Sequence, residues 1–282
     1  MVERFAPSPT GFLHLGHAFS AFSAFNAAQS GGGRFLLRIE DIDQPRCKPA
    51  FVGAIFEDLN WLGMEWDVPV LFQSTRLEAY QDAVLALHEM GLTYPCRCTR
   101  KDISAALSAP QEGDAPMIGP DGVIYPGTCR GRDDGTDTDA IRLDMRKATA
   151  LIDWSDPPMF EDVGENAKRH KLDANFLIQH CGDFVLARKD IGTSYHVAVV
   201  VDDAMQDVSH VTRGVDMAPA TAIHVLLQRL LGFQTPIYRH HRLIRDADGK
   251  RLAKRHDALA LRKLRSQGWT PEDILLAVMQ SV

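Results

Sequence analysis

No stretch of this chain reaches the ~20 consecutive apolar residues that a membrane-spanning helix requires, so no helical span is expected. The first residues, Met1-Val2-Glu3-Arg4-Phe5-Ala6-Pro7, lack the basic segment and apolar core of an export signal. Cysteine is scarce and odd in number, five in 282 residues, which argues against a disulfide framework. Basic residues are outnumbered by acidic ones, 31 to 37, and the resulting charge of −6 argues against indiscriminate nucleic-acid binding while leaving room for a local patch. What is present is ordinary for a globular protein: 45% hydrophobic and 24% charged residues exclude a disordered or fibrous chain. At roughly 150 residues per domain the length predicts two domains, with enough chain to bury a core unaided. These features together predict a cytoplasmic protein with no membrane partner.

Residues 1 to 90 alternate between strand and helix patterns. Arg34 to Glu40 is a short apolar stretch after Gly31-Gly32-Gly33 and predicts a buried strand. Leu15 to Gln29, Phe51 to Leu62 and Leu77 to Met90 place apolar residues at helical spacing. Strands separated by such helices favour a parallel sheet with crossover helices. Thr99 to Asp139 breaks the rhythm with loop chemistry at Ala109 to Pro116 and Gly131 to Gly135. Val197 to Val201 predicts a second buried strand, followed by a helix over Thr221 to Leu231. The expected architecture is α/β: a doubly wound parallel sheet whose halves, 1–91 and 191–237, are split by an α+β insertion at 92–190. Residues 238–282 complete it with a loop and a short helical subdomain, in which Thr270 caps a last helix that has Pro271 at its first position.

Two segments carry the chemistry. Pro7-Ser8-Pro9-Thr10-Gly11-Phe12-Leu13-His14-Leu15-Gly16-His17 sets two histidines three apart at the opening of a helix, where N–H groups can meet phosphate and Gly16 lets a nucleotide approach the backbone. Far downstream, Asp248 to His256 offers a glycine and four cations that can close over a triphosphate. Together they resemble the HIGH and KMSKS signatures of a class I aminoacyl-tRNA synthetase of the glutamyl type. Leu37 to Asp43, Tyr195 to Asp203 and His210 to Asp216 match further stretches in the family's order, so the resemblance spans nearly the whole chain and implies a Rossmann-type fold. Ala253 stands where the family often has serine, which predicts slower activation or a looser loop.

The resemblance implies activation of glutamate by ATP and magnesium to glutamyl-adenylate, without tRNA. Arg4, Ala6, Ser8, Glu40, Tyr195 and Arg213 would form the glutamate pocket. His14, Gly16, His17, Lys254 and Arg255 would hold ATP, with His14, His17 and Lys254 acting at the α-phosphate. A dicarboxylate with one ammonium needs two cationic contacts and one anionic one, and an arginine fork suits a carboxylate better than a lysine. Simpler roles stay open: Glu40 as a helix cap, Arg213 as an ion-pair partner, Tyr195 as a core residue.

Cys96, Cys98 and Cys129 supply three thiolates for a tetrahedral metal. The resemblance adds Tyr125 as fourth ligand and one structural Zn2+ per chain, with a water or a carboxylate as possible substitutes for the phenol and free thiols at a buried hairpin as the plain alternative. Cys47 and Cys181 read as small buried or half-buried residues. Full-length glutamyl synthetases continue into anticodon-binding domains, whereas 23 residues from Ala260 to Val282 follow the loop motif here. That shortness resembles the truncated paralogues, the glutamyl-Q tRNA(Asp) synthetases, which transfer glutamate to the queuosine base at the wobble position of tRNA(Asp). The implied partners are L-glutamate and the anticodon stem-loop of that tRNA, met by a monomer. A truncated synthetase charging a tRNA 3′ end, and a non-catalytic tRNA-binding paralogue, are the alternatives. Tyr238 to Arg265 holds ten Lys/Arg against three Asp/Glu, a net of +7 that leaves −13 elsewhere, as suits engagement of one tRNA face.

Overall fold

A computed structural model of the protein describes residues 1–107, 117–165, 167–244 and 260–280. Strand β1 (Val2–Phe5) leads into helix α1 (Leu15–Ser30), then β2 (Arg34–Ile39), α2 (Pro49–Trp61), β3 (Asp67–Phe72) and α3 (Leu77–Glu89). There follow β4 (Thr93–Cys96), α4 (Arg100–Leu107), β5 (Ile118–Gly119), β6 (Gly122–Val123), β7 (Ala140–Leu143), α5 (Met145–Ala150), β8 (Met159–Asp162) and β9 (Lys168–Lys171). The chain continues through α6 (Ala174–Phe176), β10 (Val185–Ala187), α7 (Tyr195–Met205), β11 (His210–Gly214), α8 (Thr221–Leu231), β12 (Ile237–His241), α9 (Leu261–Ser266) and α10 (Pro271–Gln280).

β3, β2 and β1 form a parallel ladder, and β11, β12 and β8 form another, with β9 antiparallel on β8. The two meet where β1 lies beside β11: the Ser209 N–H donates to the Val2 carbonyl at 3.0 Å, and the Val2 N–H to Ser209 Oγ at 2.8 Å. The strand order therefore reverses between β1 and β11, which is where doubly wound sheets bind ligands. Each face has its own core. Phe35, Leu37 and Ile39 of β2 pack with α1, α2, α9 and α10, while Leu36 faces α3, α7 and α8. The alternation follows from the period of two along a strand. Ala18, Ala21, Ala24 and Ala28 are buried along α1 and let it approach the sheet closely. Gly33 is needed for the same reason, since a Cβ there would collide with the Met1 carbonyl oxygen.

The helices expected from apolar spacing lie where the sequence places them, and Thr270 caps α10 through a reciprocal pair with Asp273 (Thr270 N to Asp273 Oδ2 2.9 Å, Asp273 N to Thr270 Oγ1 3.2 Å). Val197 to Val201 is a correction: it belongs to helix α7, not to a strand. Ser194 caps α7 by accepting the Val197 N–H, and His196 to Asp203 are all buried among α3 and α8. A helix buried on every side shows no polar face, so its valines carry no helical period. α4 was not anticipated, and forms just before the first stretch of loop chemistry; Ala109 to Pro116 lie outside the described residues.

Between the two halves, β10, β7 and β4 form an antiparallel sheet, and Gly122 (φ +96°) turns the small hairpin β5–β6. β8 and β9 extend the parallel sheet beyond β12. The C-terminal helices return to α1 and α2, where the Leu261 N–H donates to the Leu13 carbonyl at 2.8 Å.

Candidate active site

The loop that leaves β1 is anchored to the connection between β2 and α2 by the Glu40 N–H on the Pro7 carbonyl (3.1 Å) and by the Lys48 N–H on the Pro9 carbonyl (3.2 Å). It carries half-buried Ala6 and exposed Ser8 past the switch point. His14 caps α1: its Nδ1 accepts the Gly16 N–H at 3.1 Å, and His17 Nδ1 accepts the His14 N–H at 3.2 Å. The two rings stand 3.8 Å apart between centroids. Acceptance at Nδ1 puts the proton of each neutral imidazole on Nε2, the donor that a phosphate oxygen needs. Gly16 has a local reason as well, because a Cβ there would sit 3.0 Å from the His14 ring.

Charged side chains meet beneath this loop. Arg4 of β1 donates from Nε to Asp203 Oδ1 at 3.1 Å and from Nη1 to the Thr212 carbonyl at 3.4 Å. Arg38 of β2, fully buried, donates from Nη1 to the same Asp203 oxygen at 2.7 Å and to Gln206 Oε1 at 3.1 Å, and its Nη2 stands 3.5 Å from Glu40 Oε1. Burial raises the pKa of Asp203, but the charges of Arg4 and Arg38 outweigh it and hold the carboxyl below its ordinary value. Glu40 goes the other way: burial lifts it, and Arg38 and Arg4 offset only part. Glu40 does not cap α2, whose first turn has no side-chain cap.

Tyr195 opens α7, half-buried, in the fields of Arg213, Glu40 and Arg4, and burial keeps it a phenol. Arg213 of β11 donates to three neutral groups: Nη2 to Thr221 Oγ1 at 2.7 Å, Nη1 to His224 Nδ1 at 3.1 Å and Nε to His240 Nε2 at 3.3 Å. It forms no ion pair with a carboxylate among the described residues. The fold thus brings Arg4, Glu40, Tyr195 and Arg213 together, whereas Lys254 and Arg255, with Ala253, lie outside the described residues. Arg38, Asp203, Thr221, His224 and His240 were missed as site residues. Arg38 and Asp203 had a signal, being charges inside apolar runs; the buried histidines of α8 and β12 had none.

The second cluster lies in the intervening sheet. Cys98 Sγ is 3.5 Å from Cys129 Sγ, and Tyr125 Oη is 3.4 Å from Cys96 Sγ and 3.3 Å from Cys98 Sγ. The three sulfurs lie within 4.8 Å of one another. Sulfurs bound at about 2.3 Å to a tetrahedral zinc stand about 3.8 Å apart, so these residues fit such an ion. Arg142 adds positive charge, donating to Cys96 Sγ at 3.3 Å and lying 4.0 Å over the Tyr125 ring. Burial pushes the Cys129 thiol up, but hydrogen bonds from the Tyr125 hydroxyl and the Arg97 backbone bring it down to about 6. Cys47 is half-buried and Cys181 buried, as expected. A cleft of about 970 Å³ joins the two clusters, lined by Cys98, Asp121, Tyr125, Tyr195, His196 and Met217 among others.

Residues 1–281 match the family described as tRNA synthetases class I (E and Q), catalytic domain. A glutamyl-Q tRNA(Asp) synthetase of Rhodobacter capsulatus is 52% identical over 278 residues, covering 97% of this chain and 98% of that protein. Another, of Geobacter sulfurreducens, is 38% identical over 93% of this chain and 77% of its own length. The crystal structure of a glutamate-tRNA synthetase from Elizabethkingia anophelis is similar with a TM-score of 0.71 at 27% identity; the match covers 95% of this chain and 54% of that one, so this chain spans about half of that protein. The methionyl-tRNA synthetase of Mycobacterium tuberculosis, at 11% identity and a TM-score of 0.65 over 100% of this chain and 64% of that one, shares the fold alone. The order of strands, the histidines at the head of α1 and the full-length likeness agree: the chain is a ligase of the class I tRNA synthetase family of the E and Q type, and within it belongs to the glutamyl-Q tRNA(Asp) synthetases.

Proposed function

We propose that this protein activates glutamate with ATP, without tRNA, and transfers it to the queuosine base at the wobble position of tRNA(Asp). Arg213 carries the reading. A buried guanidinium whose described partners are all neutral, close to Tyr195, lacks only the carboxylate of a ligand. In this reading Arg4 and Arg213 take the two carboxylates of glutamate and Glu40 takes the ammonium. Ala6 and Ser8 line the pocket, and Tyr195 closes it. ATP, as its magnesium complex, lies over Gly16 with its phosphates at the start of α1.

An α-carboxylate oxygen of glutamate attacks the α-phosphorus, the bond to the β-phosphate breaks and pyrophosphate leaves. His14 and His17 stabilise the charge that develops, together with Lys254 and Arg255 from the loop. A hydroxyl of the queuosine cyclopentenediol then attacks the acyl carbon, giving an ester and releasing AMP. Cys96, Cys98, Cys129 and Tyr125 would hold one zinc, which when bound cross-links the insertion as a structural element. The enzyme is read as a cytoplasmic monomer that meets the anticodon stem-loop along the cleft between the cysteines and Tyr195.

Incubation with labelled glutamate, ATP and tRNA(Asp), with and without queuosine, tests the proposal. Labelling only of the queuosine-containing tRNA is expected. Labelling independent of queuosine overturns the transfer step, and the absence of glutamate-dependent ATP–pyrophosphate exchange overturns activation.

A further inference from the structure

Arg213 sits in a chain of buried side chains that ends on a carboxylate in each direction, buried Asp162 on one side and exposed Asp121 on the other. A guanidinium can only donate, so His224 accepts at Nδ1 and, while neutral, donates from Nε2 to His196 Nδ1 at 3.1 Å. His196 Nε2 in turn faces Asp121 Oδ1, in the β5–β6 hairpin of the insertion, at 3.4 Å. On the other side His240 accepts at Nε2 and donates from Nδ1 to Asp162 Oδ2 at 2.6 Å. Thr221 accepts the third bond. These three bonds use three of the five N–H donors of Arg213. His224 is 2% exposed, and burial followed by the charge of Arg213 holds it well below its ordinary pKa, so it stays a neutral acceptor.

We infer that His224, with Thr221 and His240, positions Arg213 without neutralising it, reserving its charge for a carboxylate ligand. A carboxylate in place of His224 would orient the guanidinium equally well and is the commoner partner for a buried arginine. It would also cancel the charge on which binding of an acidic amino acid depends. Here both counter-charges, Asp121 and Asp162, are set back behind one or two imidazoles. They favour the buried cation, and among the described residues they leave its two remaining N–H donors without a carboxylate. The inference rests on the reading above, in which Arg213 binds glutamate.

The test compares His224→Asn with His224→Asp, which have the same shape, each present an acceptor oxygen to Arg213 and differ in charge and in the amide N–H donors of Asn. Glutamate-dependent ATP–pyrophosphate exchange gives KM for glutamate and for ATP. The Asp variant should show a glutamate KM at least about tenfold above that of the Asn variant, with equal KM for ATP. Equal glutamate KM values in an active pair overturn the inference and leave the reading standing. A wild-type protein without glutamate-dependent exchange overturns the reading and the inference with it. Should His224→Asp be unfolded at the assay temperature, Thr221→Asn against Thr221→Asp applies the same contrast at the 2.7 Å contact on another nitrogen, judged by the same ratio.

Discussion

Arg4 and Arg38 share a single oxygen of Asp203, at 3.1 Å and 2.7 Å. One buried carboxylate from α7 thus holds two guanidinia from adjacent strands. Removing its charge leaves two buried cations with the weaker fields of Glu40 and Asp202 on Arg38 and of Glu3 on Arg4. Asp203→Asn is expected to destabilise the protein by about 3–5 kcal/mol. Because the native carboxyl lies below its ordinary value of 3.8, this stabilisation is present above that value and is lost as pH falls through the native one. Urea unfolding of the variant at neutral pH measures it, and a loss under about 1 kcal/mol would remove Asp203 as the organiser of the pair.

His14 has two roles that a single substitution can separate. Asparagine at the head of α1 still accepts a backbone N–H, so His14→Asn should keep the cap and melt within a few degrees of wild type. Its turnover in pyrophosphate exchange should fall about 100-fold, because a donor to the phosphates is lost. Unchanged turnover would show that His14 serves the helix alone.

Lys254 is proposed to act on ATP from the segment that follows β12 in sequence. Lys254→Ala should reduce exchange by about 100-fold or more without altering the melting temperature. Exchange at the wild-type rate would exclude the residue from the site.

The cysteine cluster predicts one zinc per chain, measurable by elemental analysis of protein purified without added metal. Chelation should lower the melting temperature, and Cys129→Ser should abolish stoichiometric zinc, since it removes one of the three thiolates of the cluster. Stoichiometric metal in that variant would refute the assignment of Cys129.

Asp58 is fully buried in α2, with both carboxylate oxygens lacking a hydrogen bond and Arg265 Nη1 4.0 Å away. Burial lifts its pKa from 3.8 to about 6. Between these values the native state holds a proton that the unfolded state releases, so this group costs stability as pH rises through that window. Asp58→Asn should therefore be more stable than wild type at about pH 8, by up to about 3 kcal/mol, with the gain shrinking toward about pH 5. A gain that does not vary with pH in urea unfolding would contradict this.

The helices α1, α2, α3, α8 and α10 were legible because each has one polar face or a capping residue, which leaves a period in the sequence. Val197 to Val201 was not, because the helix it forms is enclosed on all sides and β-branched residues then follow packing rather than propensity. The small helix α4 was hidden by its shortness and by the loop chemistry that follows it. At the site, Arg4, Glu40, Tyr195 and Arg213 could be named from motifs. The partners that orient them could not.

By itself the sequence determined the α/β class, the histidine pair at a helix start, the three thiolates and the family resemblance, since these depend on residue type and local spacing. Tertiary structure alone decided that Asp203 serves both Arg4 and Arg38, and that Arg213 meets Thr221, His224 and His240 instead of a carboxylate. Those contacts join residues up to 199 positions apart across the switch point between β1 and β11. No local pattern encodes them, because bringing such groups together is the work of the packed sheet and its two cores.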